Sequence, residues 1–222
     1  MSAKVQRLRV EYARGRELQY VAHLDMLRFW ERTLRRAQAP VAYSEGFTPH
    51  PQINLGAPLA VGQSGRAELL DVYLAEVWAA ERFREALASQ LPPGLTLTRV
   101  FQVPLEEPSL QSQLRAAEYA LQLQAVADLD AIERRIAAFL AAESFPWEHV
   151  RERETRRYDL RPLVLELRLD RKAGEPLVFA RLRAEEGATA RPDQVAAALG
   201  FAGALRHVER LALILAPQAV RS

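Results

Sequence analysis

The sequence predicts an α+β protein made of two consecutive βαββαβ halves with antiparallel sheets. Three observations predict it. Apolar residues switch between a period of two and a period near four in the order strand, helix, strand, strand, helix, strand. The same order of elements is met twice, and a polar stretch at residues 105–113 with Pro108 separates the two runs. The halves are then residues 1–104 and 114–222, with 105–113 as the linker.

In the first half, residues 4–13 alternate Val5, Leu8, Val10 and Tyr12 with charged side chains, the pattern of a half-buried strand. Leu24, Leu27, Trp30 and Leu34 recur at helical spacing over residues 23–38, with Asp25 in the first turn where a carboxylate suits the helix dipole. Pro40 ends that helix and residues 41–43 read as extended. Glycines and prolines then crowd residues 44–65 around the apolar pieces 53–55 and 59–61, which predicts a turn-rich loop with short strands. A strand at 66–74, a helix at 77–90, a Pro92-Pro93-Gly94 turn and a strand at 95–103 complete the unit.

The second half repeats the order. Residues 116–124 read as a strand, and Asp128 caps a helix whose stripe is Leu129, Ile132, Ile136 and Leu140. Residues 147–158 alternate as one exposed strand. Segments 163–169 and 177–182 flank a hairpin turn at 171–174, Pro192 opens a helix that Gly200 ends, and 205–215 is the last strand. Element order of this kind, twice over, makes a tandem ferredoxin-like architecture the expected fold.

Composition narrows the chemistry. Cysteine is absent, so the chain offers no disulfide, thiolate zinc site, catalytic thiol or cysteine-ligated iron–sulfur cluster. No cofactor and no metal site is expected, because none of His23, His50, His149 and His207 has a partner ligand at helical spacing. No apolar run is long enough for a membrane span and residues 1–10 show no signal-peptide core, so the expected location is cytoplasmic. Formal charge is only +2, but lysine occurs only at Lys4 and Lys172. The cations are otherwise arginine, which makes planar bidentate contacts with phosphate or carboxylate.

Three constellations stand out. Arg28, Arg32 and Arg35 share one face of the first helix with Arg36 beside it, a phosphate-backbone contact or a solvated helix face partly neutralised by Glu31 and Glu17. The loop from Tyr43 to Gln52 gathers Tyr43, Ser44, His50 and Phe47 on a segment hinged at Gly46 and stiffened by Pro49 and Pro51. His23 and His50 could act as an acid–base pair assisted by Tyr43 or Ser44 if the fold brings them together. Finally, Arg151, Arg153 and Arg157 fall on one side of the strand expected at 147–158, a sheet face of the kind that carries single-stranded RNA or a charge-guarded edge.

The runs Tyr20-Val-Ala-His-Leu-Asp-Met-Leu-Arg, Leu34-Arg-Arg-Ala, Pro40-Val-Ala-Tyr-Ser-Glu-Gly-Phe-Thr-Pro-His-Pro and Ala57-Pro-Leu-Ala-Val-Gly resemble the uncharacterised radical-SAM-linked protein family. The likeness extends to Tyr158-Asp-Leu-Arg-Pro-Leu-Val and Arg191-Pro-Asp-Gln-Val. Its motif positions here are His23, Leu24, Asp25, Tyr43, Ser44, Gly46, Phe47, Pro49, Pro51, Pro58 and Gly62. Ala22 stands where the family commonly has serine before His-Leu-Asp. The resemblance implies a radical SAM protein as partner, which would carry the cluster that a thiol-free chain cannot. A second similarity, in element order and in the glycine-phenylalanine-proline rhythm, is to the tandem ferredoxin-like endoribonucleases that process CRISPR repeats, although this chain lacks a glycine-rich loop near its C-terminus.

The expected function is therefore a non-catalytic, RNA-binding or substrate-presenting accessory of a radical SAM enzyme. Metal-independent RNA cleavage and a structural protein–protein clamp are the alternatives.

Overall fold

The computed structural model describes residues 3–124, 128–151, 154–171 and 176–217. They form a mixed α+β fold whose described strand pairs are antiparallel. The chain divides into two compact units, one running to Leu114 and rejoined from Leu215, the other Arg115–Ile214.

In the first unit the elements are β1 (Gln6–Arg14), α1 (His23–Arg36), β2 (Ile53–Leu55), β3 (Gln63–Leu74), α2 (Ala80–Ala88), β4 (Leu95–Val103) and the single turn α3 (Leu110–Gln113). The strand order is β2-β3-β1-β4. Leu8, Val10 and Tyr12 of β1 pack with Leu70, Val72 and Leu74 of β3 beneath Met26, Trp30 and Leu34 of α1 and Phe83 and Leu87 of α2. Tyr12 and Trp30 meet edge to face with ring centroids 4.9 Å apart, a favoured aromatic geometry. The second helix starts three residues later than its periodicity predicts, because the Gln6 side chain donates to the Trp78 carbonyl (2.9 Å) and accepts from its N–H (2.9 Å). That exchange holds Trp78 outside the helix.

The opposite face of β1 departs from the sequence reading. Alternation predicts a solvated polar face, yet Arg7, Arg9 and Asp71 are buried. Asp71 of β3 lies between the two guanidinium groups. Arg7 donates to its Oδ2 from Nε (2.9 Å) and from a terminal nitrogen, and Arg9 donates to its Oδ1 from Nε (2.8 Å). Arg7 also reaches the carbonyls of Glu107 (2.7 Å) and Pro108 (3.0 Å), and Arg9 stands 3.7 Å from the Glu107 carboxylate. Residues 105–113 are thus fastened across this face. Leu110 is fully buried and Gln111 donates to the Leu55 carbonyl (2.5 Å). The charged half of an alternating strand faces water only if nothing covers it, and this segment covers it.

In the second unit the elements are β5 (Leu114–Leu123), α4 (Leu129–Ala141), β6 (Pro146–Arg151), β7 (Glu154–Asp159), β8 (Val164–Asp170), β9 (Leu177–Glu185), β10 (Ala188–Thr189), α5 (Pro192–Ala198) and β11 (Leu205–Leu215). The strand order is β8-β9-β5-β11, with β10 pairing the end of β9. Asp128 caps α4 by accepting from the Ala131 N–H (2.9 Å), as its position predicts. The buried stripe of α4 is Ile132, Ile136 and Phe139, so Phe139 takes the place expected of Leu140. The hairpin turn expected at 171–174 lies outside the described residues beyond Arg171.

The single strand expected at 147–158 is corrected to a two-stranded hairpin. β6 and β7 pair with each other, Trp147 opposite Tyr158 and Arg151 opposite Glu154, and join no larger sheet. Alternation continues through both arms of a short hairpin, so a period-two pattern alone does not reveal the reversal.

Breaking the buried ion cluster tests this account of the first unit. Asp71→Asn leaves two buried guanidinium groups with only the Glu107 carboxylate, 3.7 Å from Arg9, as counter-charge, and urea unfolding should show a loss of about 3–5 kcal/mol. An exposed pair such as Arg28–Asp25, replaced in the same way, should cost less than about 1 kcal/mol.

Candidate nucleic-acid interface

Before α1 the chain makes a tight turn, residues Arg16–Leu18, that a buried arginine holds. Arg14 donates from one terminal nitrogen to the carbonyls of Leu18 (2.7 Å) and Val21 (2.6 Å), the Leu18 carbonyl accepts from the Val21 N–H (3.0 Å), and the Gln19 carbonyl accepts from the Gly62 N–H (2.8 Å). The backbone on either side of Tyr20 is therefore fixed. Tyr20 is 75% exposed, and Leu24 and Val61, near this turn in the chain or through Gly62, are 64% and 60% exposed. Gly62 takes a positive φ of 89°, a conformation that glycine adopts without penalty.

Ala22 occupies the N-cap of α1 and offers no side-chain acceptor. The first turn is left with Asp25, exposed and 3.4 Å from Arg28. His23, the first residue of the helix, is half-buried. Beyond Leu24 the outward face of α1 carries Arg28, Arg32 and Arg35, all exposed, at successive turns about 6 Å apart. Arg36 turns partly inward to Thr33 Oγ1 (3.4 Å) and the Gln90 carbonyl (3.3 Å). Arg32 and Arg35 form no ion pair with the described residues, so their charge is directed outward.

The loop after α1 is a built structure. Tyr43 bridges Pro51, the Ser44 N–H donates to the His50 carbonyl (2.9 Å) and the His50 N–H donates to Ser44 Oγ (3.0 Å). Gly46 has φ 115°, and Phe47 beside it is fully exposed. Ser44 therefore serves the turn, while the His50 imidazole and half of Tyr43 face outward. Pro49 and Pro58 are exposed and Pro51 half-buried.

His23 and the loop are anchored at different places along β3. The turn before His23 is tied to Gly62, just ahead of β3, whereas the loop leaves the chain between hydrogen bonds of Ala42 and Gln52 to Tyr73 near the end of that strand. Gly65 and Tyr73 are separated by roughly 25 Å of strand.

The arginine row expected in the second unit is also corrected. Arg151 ends β6, Arg157 lies on β7 and donates to Glu148 (2.8 Å), and Arg153 lies outside the described residues. Arg151 and Arg157 belong to different arms of a hairpin and share no broad sheet face. What the sequence singles out at 158–164 and 191–195 instead holds the unit together. The Tyr158 hydroxyl donates to Gln194 Oε1 (2.8 Å), and burial, reinforced by the Asp193 charge, raises its pKa. Asp159 accepts from the backbone N–H of Phe145 (2.8 Å) and of Arg161 (2.9 Å), and the Phe145 bond foremost holds its carboxyl below the usual range. Arg161 donates to the carbonyls of Leu140 (3.1 Å) and Val164 (3.0 Å). A groove of about 570 Å³ beside Trp147, Glu148, Arg157 and Tyr158 opens at the foot of the hairpin. Among the described residues, no group of three or more His, Asp or Glu is placed to hold a metal ion, and no helix is long and apolar enough to cross a membrane.

Comparison with known proteins adds a family and a fold. A family described as an uncharacterized protein conserved in bacteria (DUF2344) matches residues 7–192. None of the curated proteins matches the chain. A chain in a crystal structure of a Cbf5-Nop10-Gar1 complex is similar in fold, with a TM-score of 0.50 at 11% identity, over 95% of this chain and 49% of that one. This chain thus spans about half the length of its structural counterpart.

Supplying the missing cap tests the geometry at the start of α1. Ala22→Ser should raise stability by about 1 kcal/mol, seen as a higher urea midpoint at unchanged slope. A variant no more stable than the parent would mean that the first N–H groups are already satisfied.

Proposed function

The match over residues 7–192 makes this chain a member of the DUF2344 family, and from that premise we propose that it is a non-catalytic RNA-binding or substrate-presenting subunit, acting with a radical SAM enzyme and contacting RNA through the outward face of α1. The observation that carries this reading is the contrast among its arginines. Arg7, Arg9 and Arg14 are engaged by internal acceptors, whereas Arg32 and Arg35 project from the outward face of α1 and form no ion pair with the described residues, with Glu31 one helical turn from Arg35. Guanidinium groups repeated along a line suit a polyanion whose charge also repeats.

The radical SAM partner rests on the resemblance of the motifs and on the absence of cysteine, which leaves any cluster to another chain. The same reading takes both units as ferredoxin-like halves, supported by the matching strand orders β2-β3-β1-β4 and β8-β9-β5-β11, with the β6–β7 hairpin inserted in the second. Substrate presentation also fits the inward-turned motif residues of the second unit, which build a scaffold and not a reaction centre.

Binding of RNA across a salt series tests the proposal. Affinity should fall steeply with salt, and replacing Arg32 and Arg35 by alanine should flatten the log–log slope by about 2, close to one for each phosphate no longer neutralised. No affinity at low salt, or affinity indifferent to salt, would contradict it.

A further inference from the structure

We infer that Tyr20 is a stacking platform for an unpaired base, so that the ligand of the α1 face is single-stranded RNA and not a duplex. This rests on the RNA-binding reading above and names the form of RNA that the site accepts. Aromatic side chains are ordinarily drawn into a core or an interface, and Tyr20 is in neither, although its backbone is immobilised. Arg14 holds the carbonyls before and after it, and Gly62 holds that of Gln19. A ring presented to solvent from a backbone clamped on both sides loses little further freedom when a planar group stacks on it. Leu24, four residues along the chain, and Val61, next to the Gly62 that is bonded to Gln19, are exposed apolar side chains near the same turn.

Charge decides between a nucleic acid and a protein as the occupant. Leu24, Arg28, Arg32 and Arg35 lie on one outward face of α1, with half-buried Glu31 at its edge, so the apolar end continues into a face on which three guanidinium groups outnumber one carboxylate. A base on Tyr20 leaves its own backbone heading along those arginines, the pairing of aromatic platform and basic track that single strands require. In a duplex the base faces are buried against each other, and Tyr20 would have nothing to stack on.

The test is fluorescence anisotropy on the full chain with a short labelled single-stranded RNA and the same RNA annealed to its complement, comparing the parent protein with Tyr20→Ala, Tyr20→Phe and Arg32→Ala. The parent should prefer the single strand. Tyr20→Ala should weaken that binding about tenfold with the salt slope unchanged, and Tyr20→Phe should retain it. Arg32→Ala should weaken both forms and reduce the slope. If Tyr20→Ala binds single strands as the parent does while Arg32→Ala is impaired, base stacking is overturned, RNA binding stands, and the apolar end belongs to a protein contact. If the duplex binds equally well, the inference also fails. If the parent binds neither form, the functional proposal fails with it.

Discussion

The carboxylate of Asp71, held between Arg7 and Arg9 in the interior of the first unit, is the constraint on which the arrangement of that unit depends. Three charged groups out of water are tolerable only when each is fully engaged, because an unmatched one carries its whole desolvation cost. Asp71 engages both arginines, and the remaining donors of Arg7 reach the carbonyls of Glu107 and Pro108. The cluster therefore does more than join two strands. It fixes residues 105–113 against the polar face of β1 and β3 and covers Arg7, Arg9 and Asp71 there.

With β1 and β3 covered on one side by that segment and on the other by α1 and α2, the outer face of α1, the turn before it and the loop after it are among the exposed surfaces of the first unit. The same side-chain type plays two parts. Arginines with acceptors in reach are structural fasteners: Arg14 fixes the turn that presents Tyr20, and Arg161 ties β8 to the end of α4. Arginines on the outer face of α1 instead point into water. That division, and not the small net charge of the chain, distinguishes a contact surface from a scaffold.

Much of the fold is legible in the sequence, because strands and helices announce themselves through their periods. Residues 95–103 and 205–215 are strands with the bounds that alternation gives, and the α4 cap is where Asp128 puts it. Other features are not legible, for identifiable reasons. Period two says which residues of β1 share a face, but not that residues 105–113 will cover Arg7 and Arg9, since Glu107 lies 100 residues along the chain from Arg7. A continuous alternation from 147 to 158 hides the reversal between β6 and β7. In the candidate site, helical spacing places Arg28, Arg32 and Arg35 together correctly. Whether His23 meets the Tyr43 loop depends on which end of β3 each one approaches, and no local pattern encodes that. Tyr20 is visible as part of a motif, but its exposure depends on Arg14 and Gly62, which sequence distance conceals.

Hydrogen–deuterium exchange of the full chain with and without RNA tests most directly the claim that contact is made through the helix face while the polar face of β1 and β3 stays covered. The account predicts slowed exchange at residues 20–36 on adding RNA, with β1 and residues 105–113 unchanged. Protection at 105–113 or β4 with residues 20–36 unaltered would contradict it, because the ligand would then lie on the side of the sheet that Asp71 and its two arginines occupy.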